Sequence, residues 1–320
     1  MEATAAPIRR KDDAQNREAP FRPQPNNVEE TGISFGQLLD LCIKTIYYGG
    51  RPSAREISES MMLTFNVIEG MLAFLKREQL IEVVGSVGIG EQQYQYALTD
   101  KGNERAVDAI ERSQYYGPAP VPFHEYQQVI MEQSVRNLRV NPEIVGNALG
   151  DLVLTDITRN LVGPAVNSGR TILLYGDPGN GKSSIAKGIG RMLSGAVLIP
   201  YAVDVNGQTV RVFDPRVHTP IEEEEEDTER RGNGHGTLGN FAPVRPERRR
   251  DSRYVMCKRP LLMTGGELTL ADLELKYSPQ SKFYIAPVQM KANCGILVID
   301  DFGRQLVSPK ELLNLSLIHI

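Results

Sequence analysis

The sequence lacks several features that mark particular classes of protein. It has no tryptophan and only three cysteines among 320 residues. Cys42, Cys257 and Cys294 lie far apart, which argues against a disulfide framework and against a cysteine-based zinc site. Because isolated cysteines fit a reducing compartment, we expect a cytoplasmic protein.

Long apolar runs and a strong charge imbalance are also missing. No run approaches the ~20 apolar residues that span a bilayer, and the N-terminus has no apolar segment of the kind found in secretory signals. Lys and Arg number 36 and Asp and Glu number 40, a net charge of -4. This balance provides no general attraction to nucleic acid or to anionic membranes. We therefore expect no membrane insertion and no indiscriminate binding of nucleic acid.

Composition and apolar periodicity divide the chain into segments. Residues 1–32 are rich in Pro, Asn, Arg and Glu with little periodicity, which predicts a disordered tail. Patterns over 33–114 predict a small α+β domain, and the Pro-rich stretch 115–127 predicts a linker. The remainder, 128–314, has the strand and helix patterns of an α/β domain. Within it, 219–252 holds an acidic and a basic run, which predicts a flexible, solvated insertion.

The small N-terminal domain has a recognisable order of elements. Three helical patterns, with Ser34, Ser53 and Thr64 placed as N-caps, precede two extended segments and a closing helix. Three helices followed by a two-stranded wing resemble a winged helix-turn-helix domain.

Winged helices often bind DNA, but the charges of this one favour a different role. Residues 33–112 hold eight Lys or Arg and eleven Asp or Glu, a net charge of -3. In a recognition helix the N-terminal residues normally contact the DNA bases. The cations of the corresponding helix here, Lys76 and Arg77, lie at its C-terminal end. Because neutralised phosphates supply most non-specific DNA affinity, we favour a protein-docking or spacer role and keep DNA binding as the alternative.

Shorter patterns mark turns in the C-terminal half. Residues 196–215 predict two strands that meet at Asn206-Gly207, a pair that tolerates the two positive φ values of a type I′ turn. Thr269 is placed to cap a short helix over Ala271–Leu275. The stretches "MTGGELT" and "KFYIAP" fit a substrate-touching loop and an ordinary turn and helix equally well.

The stretch "TILLYGDPGNGKSSIA" matches the phosphate-binding pattern G-x-x-x-x-G-K-[ST]. An apolar strand is predicted over Ile172–Tyr175 and a helix over Ser184–Leu193, with Ile185 and Ile189 facing inward. Strand, loop and helix are the context that such a loop requires. The predicted ATP-binding residues are Gly176, Asp177, Pro178, Gly179, Asn180, Gly181, Lys182, Ser183 and Ser184.

The chemistry of phosphate binding explains these residue types. Glycines let successive backbone N–H groups point at phosphate oxygens, and the following helix presents its positive dipole end to the anion. Lys182 supplies a mobile charge for the β- and γ-phosphates, so we also predict it to be catalytic. Ser183 supplies a hydroxyl ligand for Mg²⁺.

A second acidic element is predicted further along the chain. The apolar run Ile296–Ile299 predicts a strand buried in a parallel sheet, and Asp300 and Asp301 follow it. Asp300 is placed to hold Mg²⁺, directly or through water, and Asp301 to orient and deprotonate the attacking water. Arg304 fits a contact to a neighbouring subunit's phosphate and a structural ion pair equally well.

Together these motifs resemble AAA+ ATPases. More narrowly, "LVGPAVNSGRTILLYGDPGNGKSSIA", "KRPLLMTGGELTL" and "KFYIAPVQMKANCGILVIDDFGRQLVSPKELLN", with the preceding winged-helix-like unit, resemble bacterial AAA+ ATPases with chaperone-type activity. The resemblance implies a P-loop NTPase parallel sheet and a homo-oligomeric ring, usually of six subunits, that uses ATP and Mg²⁺ to remodel protein partners. It also implies that Lys182 and Ser183 bind MgATP, that Asp300 is the metal partner and that Asp301 takes the catalytic place. Many relatives have Glu in that last place, which is one methylene longer.

The end of the chain departs from this pattern. After "ELLN", relatives continue with Arg-Trp, a further strand, a sensor residue, a trans-acting arginine and a helical lid, whereas this chain ends "LSLIHI". That ending resembles translated sequencing-adapter sequence, so we expect residues 315–320 to be non-native and the ATPase sheet to be incomplete. The expectation is a chain that binds MgATP and turns it over poorly. A DNA-binding regulator that responds to ATP is the alternative, and a nucleotide-bound scaffold without turnover is a third.

Overall fold

The computed structural model describes residues 19–177, 179–221 and 249–311. Its first unit has the predicted order of elements: α1 (Phe35–Gly49), α2 (Ala54–Met61), α3 (Phe65–Arg77), β1 (Ile81–Ser86), β2 (Tyr94–Leu98) and α4 (Asp100–Arg112). β1 and β2 pair antiparallel. The prediction of three helices, a two-stranded wing and a closing helix is confirmed at the level of these elements.

Two of the three predicted N-caps form side-chain caps. The Ser34 hydroxyl accepts a hydrogen bond from the Gln37 backbone, and Ser53 forms a reciprocal capping box with Glu56. Thr64 precedes α3 without a side-chain cap. Its hydroxyl instead donates to the Pro25 carbonyl at 3.0 Å. Thr64 is therefore the N-cap residue of α3, as predicted, but its side chain bonds to a partner distant in the sequence instead of capping the helix.

The first unit encloses a core built from the apolar faces of its helices. Leu38, Cys42 and Ile46 of α1 are fully buried against residues of α2 and α3 such as Ile57 and Ile68. This is the i, i+4 spacing of an amphipathic helix. The core extends beyond the unit, since Ala202 and Phe283 of the C-terminal half pack against it.

Part of the predicted disordered tail is ordered. Residues 19–32 include buried Ala19 and Thr31 and a 3₁₀ turn, Glu29–Thr31. The Gln24 backbone N–H donates to the Arg249 carbonyl at 3.0 Å. The prediction is wrong for 19–32, because backbone pairing with a distant segment offsets their low hydrophobicity. Residues 1–18 lie outside the described part.

The predicted insertion lies mostly outside the described residues, which omit 222–248. Its two ends are paired with the rest of the molecule. Pro220 forms a β-bridge with Cys257, and Arg250 forms one with Pro23.

The predicted linker, 115–127, is packed against its neighbours. Tyr115, Ala119 and Val121 are buried, and the segment contains β3 (Val121–Pro122) and the start of α5 (Phe123–Glu132). The prolines of this stretch stiffen the chain, while the residues between them fill the interface of the two halves. The structure therefore differs from a free spacer.

The C-terminal half combines short helices with small sheets. Its remaining elements are α6 (Pro142–Leu149), α7 (Asp156–Asn167), α8 (Lys182–Met192), β4 (Ala196–Pro200), β5 (Ala202–Val205), β6 (Gln208–Arg211), β7 (Tyr254–Lys258), β8 (Leu261–Thr264), β9 (Lys276–Ser278), β10 (Phe283–Ile285), α9 (Val288–Lys291) and β11 (Ile296–Ile299). Among the described residues no helix is long and apolar enough to cross a membrane.

The strands form one mixed sheet and several pairs. The five-stranded sheet has the order β3-β5-β6-β10-β9, while β4 pairs with β7 and β8 with β11. The β8–β11 pair is parallel, with Ile296 beside Leu261 and Ile299 beside Thr264. The described sheets are smaller than the parallel sheet expected of an AAA+ domain, so that fold class stays a prediction.

The turn predictions were met in part. Asn206 and Gly207, with φ values of 51° and 84°, join β5 to β6, which confirms the hairpin. The region forms three strands rather than two, because a bend at Tyr201 ends β4 and separates it from β5. Thr269 does form a capping box with Asp272, but the helix is a single 3₁₀ turn, Leu270–Asp272.

One buried cation ties the segments together. The Arg253 side chain is 2% exposed and lies 2.8 Å from the carboxylate of Asp251, itself 3% exposed. The guanidinium also donates to the carbonyls of Thr31 at 2.8 Å and Pro120 at 3.2 Å. A buried guanidinium must have its donors satisfied, so residues before α1, before β3 and before β7 are held at one point.

Replacing Arg253 by Met should therefore lower the free energy of unfolding by about 3–5 kcal/mol, because Asp251 would be left as a buried, unpaired charge. Arg55→Ala is the control. Arg55 pairs with Glu59 on α2 where both side chains are more than half exposed, so its loss should cost far less than the loss of Arg253. Equal effects of the two substitutions in urea unfolding would contradict this role for Arg253.

A buried histidine joins the loop after β6 to α9. His218 is fully buried, and its Nδ1 accepts a hydrogen bond from the Asp214 backbone N–H at 3.0 Å. Nε2 therefore carries the proton and donates to the Lys291 carbonyl at 2.8 Å. Burial lowers the pKa of His218, against a smaller opposing effect of the Lys291 carbonyl and the Asp214 carboxylate. The neutral ring fits this pocket.

Acid should destabilise the protein through His218. The unfolded imidazole takes up a proton below about pH 6.5, whereas the folded ring resists it, so this contribution to stability is lost as pH falls from that value. In urea unfolding, the stability difference between wild type and His218→Gln should narrow by up to about 1.4 kcal/mol per pH unit in that window. A pH-independent difference for His218→Gln would refute the assignment.

Candidate nucleotide-binding site

The predicted phosphate loop turns sharply between Tyr175 and α8. Gly176, Gly179 and Gly181 have φ values of 144°, 87° and 71°, a region that residues with a Cβ rarely adopt. α8 begins at Lys182 directly after Gly181. The loop therefore exposes backbone at a helix N-terminus, which is where anions bind in proteins. Pro178 lies outside the described residues.

The Lys182 side chain folds back over this loop. Its Nζ donates to the carbonyls of Gly176 at 3.0 Å and Asp177 at 2.8 Å. An ammonium group has three donors, and two of them hold the loop closed on itself. A phosphate group at the loop would compete with these carbonyls for the same cation.

Ser183 and Asp300 meet, as the sequence predicts for two ligands of one cation. The Ser183 hydroxyl donates to Asp300 Oδ2 at 2.7 Å, although the residues are 117 positions apart. α8 supplies Ser183, and the end of β11 supplies Asp300. The hydrogen bond from Ser183 holds the pKa of Asp300 below its ordinary value, helped by the Asp301 backbone N–H. The carboxylate is therefore ionised at neutral pH.

Asp301 follows in an unusual backbone conformation. Its φ is 52°, its backbone N–H donates to Asp300 Oδ1 at 3.0 Å, and the residue is exposed. Arg304, also exposed, closes the turn with a hydrogen bond from its N–H to the Asp301 carbonyl at 2.9 Å. The structure thus places Asp301 beside the predicted metal ligand.

The apolar segment before the loop differs from the prediction. No strand is assigned over Ile172–Tyr175 among the described residues. Ile172 and Leu174 pack on the core that holds α8 and Ile296, whereas Tyr175 is 90% exposed. Burial alternates along this segment as it does in a strand, but no neighbouring strand pairs with it among the described residues.

The helix and strand that follow agree better with the sequence. α8 buries Ile185, Ile189 and Met192, which confirms the predicted inward face. β11 pairs in parallel as predicted, but its side chains are only half-buried. The full burial predicted for β11 is therefore wrong.

The oxygen donors at this site fit Mg²⁺. Mg²⁺ prefers hard oxygen ligands and is usually held by one or two carboxylates together with substrate phosphates and water. The Ser183 hydroxyl and the ionised Asp300 carboxylate are such donors, and they lie within hydrogen-bond distance of each other. Neither is a soft ligand that would select another metal.

The sequence analysis did not identify Gln305 as a residue that contacts the acidic turn of the candidate site. Its side-chain amide bonds to the backbone on both sides of Asp301, and a polar residue after an acidic turn gives no signal that could have found it. The stretch "KFYIAP" proves to contain β10, an inner strand of the mixed sheet, with Phe283 packed on the first core.

Comparison with known proteins places the chain in no family. No protein-family model and no curated protein matches it. Among solved structures, Staphylococcus aureus MarR in complex with salicylate and kanamycin is similar, at 21% identity and a TM-score of 0.22. The match covers 33% of this chain and 63% of that one, so the chain spans less than two thirds of that protein's length. A similarity at this level carries no argument about fold or function.

Lys182→Ala should weaken binding of MgATP by at least ~10-fold, because charge-assisted contacts contribute about 1.5–3 kcal/mol each. Lys258→Ala is the control, since Lys258 is an exposed lysine on β7, outside the loop. It should change the affinity little. Titration calorimetry compares the two, and an unchanged affinity of Lys182→Ala would overturn the assignment of the loop.

Proposed function

We propose that this chain binds MgATP at residues 176–184 together with Asp300 and hydrolyses it to remodel or assemble protein partners, as AAA+ ATPases do. The observation that carries the proposal is the 2.7 Å hydrogen bond from Ser183 to Asp300. It brings a phosphate-loop hydroxyl to a carboxylate at the end of a parallel strand. This is the pairing that a magnesium–nucleotide site requires.

Each part of the loop has a defined task in binding. The glycine-rich backbone and the N-terminus of α8 offer N–H groups and a positive dipole end to the phosphates. Lys182 would exchange the carbonyls of Gly176 and Asp177 for phosphate oxygens, which are charged and therefore stronger acceptors. Ser183 and Asp300 would hold Mg²⁺, which would neutralise charge on the β- and γ-phosphates.

Asp301 is proposed to orient the attacking water and to accept its proton. Its exposed position beside Asp300 leaves the carboxylate accessible to water. Aspartate is one methylene shorter than glutamate, so it reaches less far toward a γ-phosphate. We therefore expect slow turnover.

The surface of the N-terminal unit favours a protein partner over DNA. The tip of its hairpin exposes apolar residues, among them Val87 at 62% and Ile89 at 103%. Glu69 and Asn66 are exposed on α3. DNA phosphates attract cations, whereas these exposed side chains are apolar, acidic or neutral and suit contact with another protein better.

Asp301→Asn should leave the affinity for MgATP within about threefold of wild type but slow phosphate release by at least ~100-fold, the usual effect of removing a general base. Single-turnover hydrolysis of labelled ATP measures the rate. Asp108→Asn, an exposed substitution on α4, should leave both quantities unchanged. Equal rates for wild type and Asp301→Asn would show that Asp301 is not the base.

The DNA-binding alternative makes a separate prediction. A regulator that binds DNA should shift a labelled duplex in a salt-dependent way, and ATP should alter that shift. We expect no shift by the full chain at about 0.15 M salt, because α3 and the hairpin carry so few cations. A shift that is lost in Lys76→Ala or Arg77→Ala would favour the alternative.

A further inference from the structure

The side-chain amide of Gln305 contacts the acidic turn after β11 through both its nitrogen and its oxygen. Its Nε2 donates to the Asp300 carbonyl at 2.6 Å, and its Oε1 accepts from the Gly303 N–H at 2.7 Å. Gln305 is half-buried. One amide group thus spans the backbone on both sides of Asp301.

This turn contains two residues with positive φ. Asp301 has φ at 52° and Gly303 at 97°, and a positive φ is unfavourable for a residue with a Cβ. Because the Asp301 side chain is exposed, the backbone conformation of the turn decides where its carboxylate lies. The turn is held by the amide of Gln305, by the hydrogen bond from the Arg304 N–H to the Asp301 carbonyl and by that from the Asp301 N–H to Asp300 Oδ1.

The predicted metal ligand is held by different contacts. The Asp300 carboxylate receives hydrogen bonds from the Ser183 hydroxyl and the Asp301 N–H, whereas Gln305 contacts the Asp300 carbonyl oxygen. Loss of the Gln305 amide therefore leaves the bond from Ser183 to the Asp300 carboxylate intact. It removes one support of the backbone that carries Asp301 and leaves the hydrogen bonds of the Asp301 N–H and the Arg304 N–H in place.

We propose that Gln305 is a positioning residue that fixes the Asp301 carboxylate for attack by water on a bound nucleotide. This inference rests on the proposed function. Two tasks then fall to one short segment. Asp300 holds the cation of the bound nucleotide, and Gln305 positions Asp301 for the chemical step. The loss of an interaction that forms only in the transition state weakens the binding of transition-state analogues but leaves substrate binding unchanged.

The test compares the binding of MgATP with that of Mg·ADP·aluminium fluoride, an analogue of the transferring phosphoryl group, by titration calorimetry. Gln305→Glu, which loses one hydrogen bond, and Gln305→Ala, which loses two, should keep MgATP affinity within about twofold and bind the analogue at least about 3- to 10-fold more weakly, the range for a single lost hydrogen bond. Glutamate keeps the acceptor for Gly303 and loses the donor to Asp300. In combination with Asp301→Asn, Gln305→Ala should cause no further loss.

Gln24→Ala is the matched control. Gln24 is half-buried and also bonds two backbone groups, the Met62 carbonyl and the Ser252 N–H, so its loss should not distinguish the analogue from MgATP. Equal weakening of both ligands by Gln305→Ala, or weakening of neither, would overturn the positioning role. So would a wild-type chain that binds MgATP but not the analogue. A wild-type chain that binds neither ligand would instead refute the proposed function.

Discussion

The need to satisfy the buried guanidinium of Arg253 governs how this chain is put together. Its acceptors come from Asp251, from Thr31 ahead of the first helix, and from Pro120 ahead of β3. Because a buried cation without acceptors is very costly, these three segments must meet where β7 begins. The N-terminal unit and the C-terminal half are joined at this point by charge as well as by apolar packing.

A second arginine, at the other end of β7, also holds distant segments together and lies between the elements that carry the proposed nucleotide site. Arg259 donates to the carbonyls of Gln133, Ser194 and Cys294, and burial lowers its pKa. Ser194 follows α8 and Cys294 precedes β11. The helix that carries Ser183 and the strand that leads to Asp300 are therefore fixed to one side chain near the ends remote from the site.

The sequence predicted those features whose determinants are local. Helices α1 to α4, the Asn206-Gly207 hairpin, the inward face of α8 and the parallel strand β11 follow from periodicity, turn chemistry and motif context. What could not be predicted depends on partners distant in the chain. Thr64 bonds to Pro25, residues 19–32 pair with 249–252, and the residues between the prolines of 115–127 fill an interface. The meeting of Ser183 with Asp300 was expected from the two motifs together, whereas the amide of Gln305 had no local signature.

The central claim is that Ser183 and Asp300 act together on the cation of a bound nucleotide. A double-mutant cycle tests it most directly, with ATP affinity measured by calorimetry with and without Mg²⁺ for wild type, Ser183→Ala, Asp300→Asn and the double variant. The claim predicts that Mg²⁺ strengthens binding to wild type, that each single substitution removes most of this gain, and that the double variant loses little more, since residues that share a ligand are non-additive. A wild-type affinity for ATP that does not depend on Mg²⁺ would contradict the claim. So would losses of affinity in the two single variants that add up to the loss in the double variant.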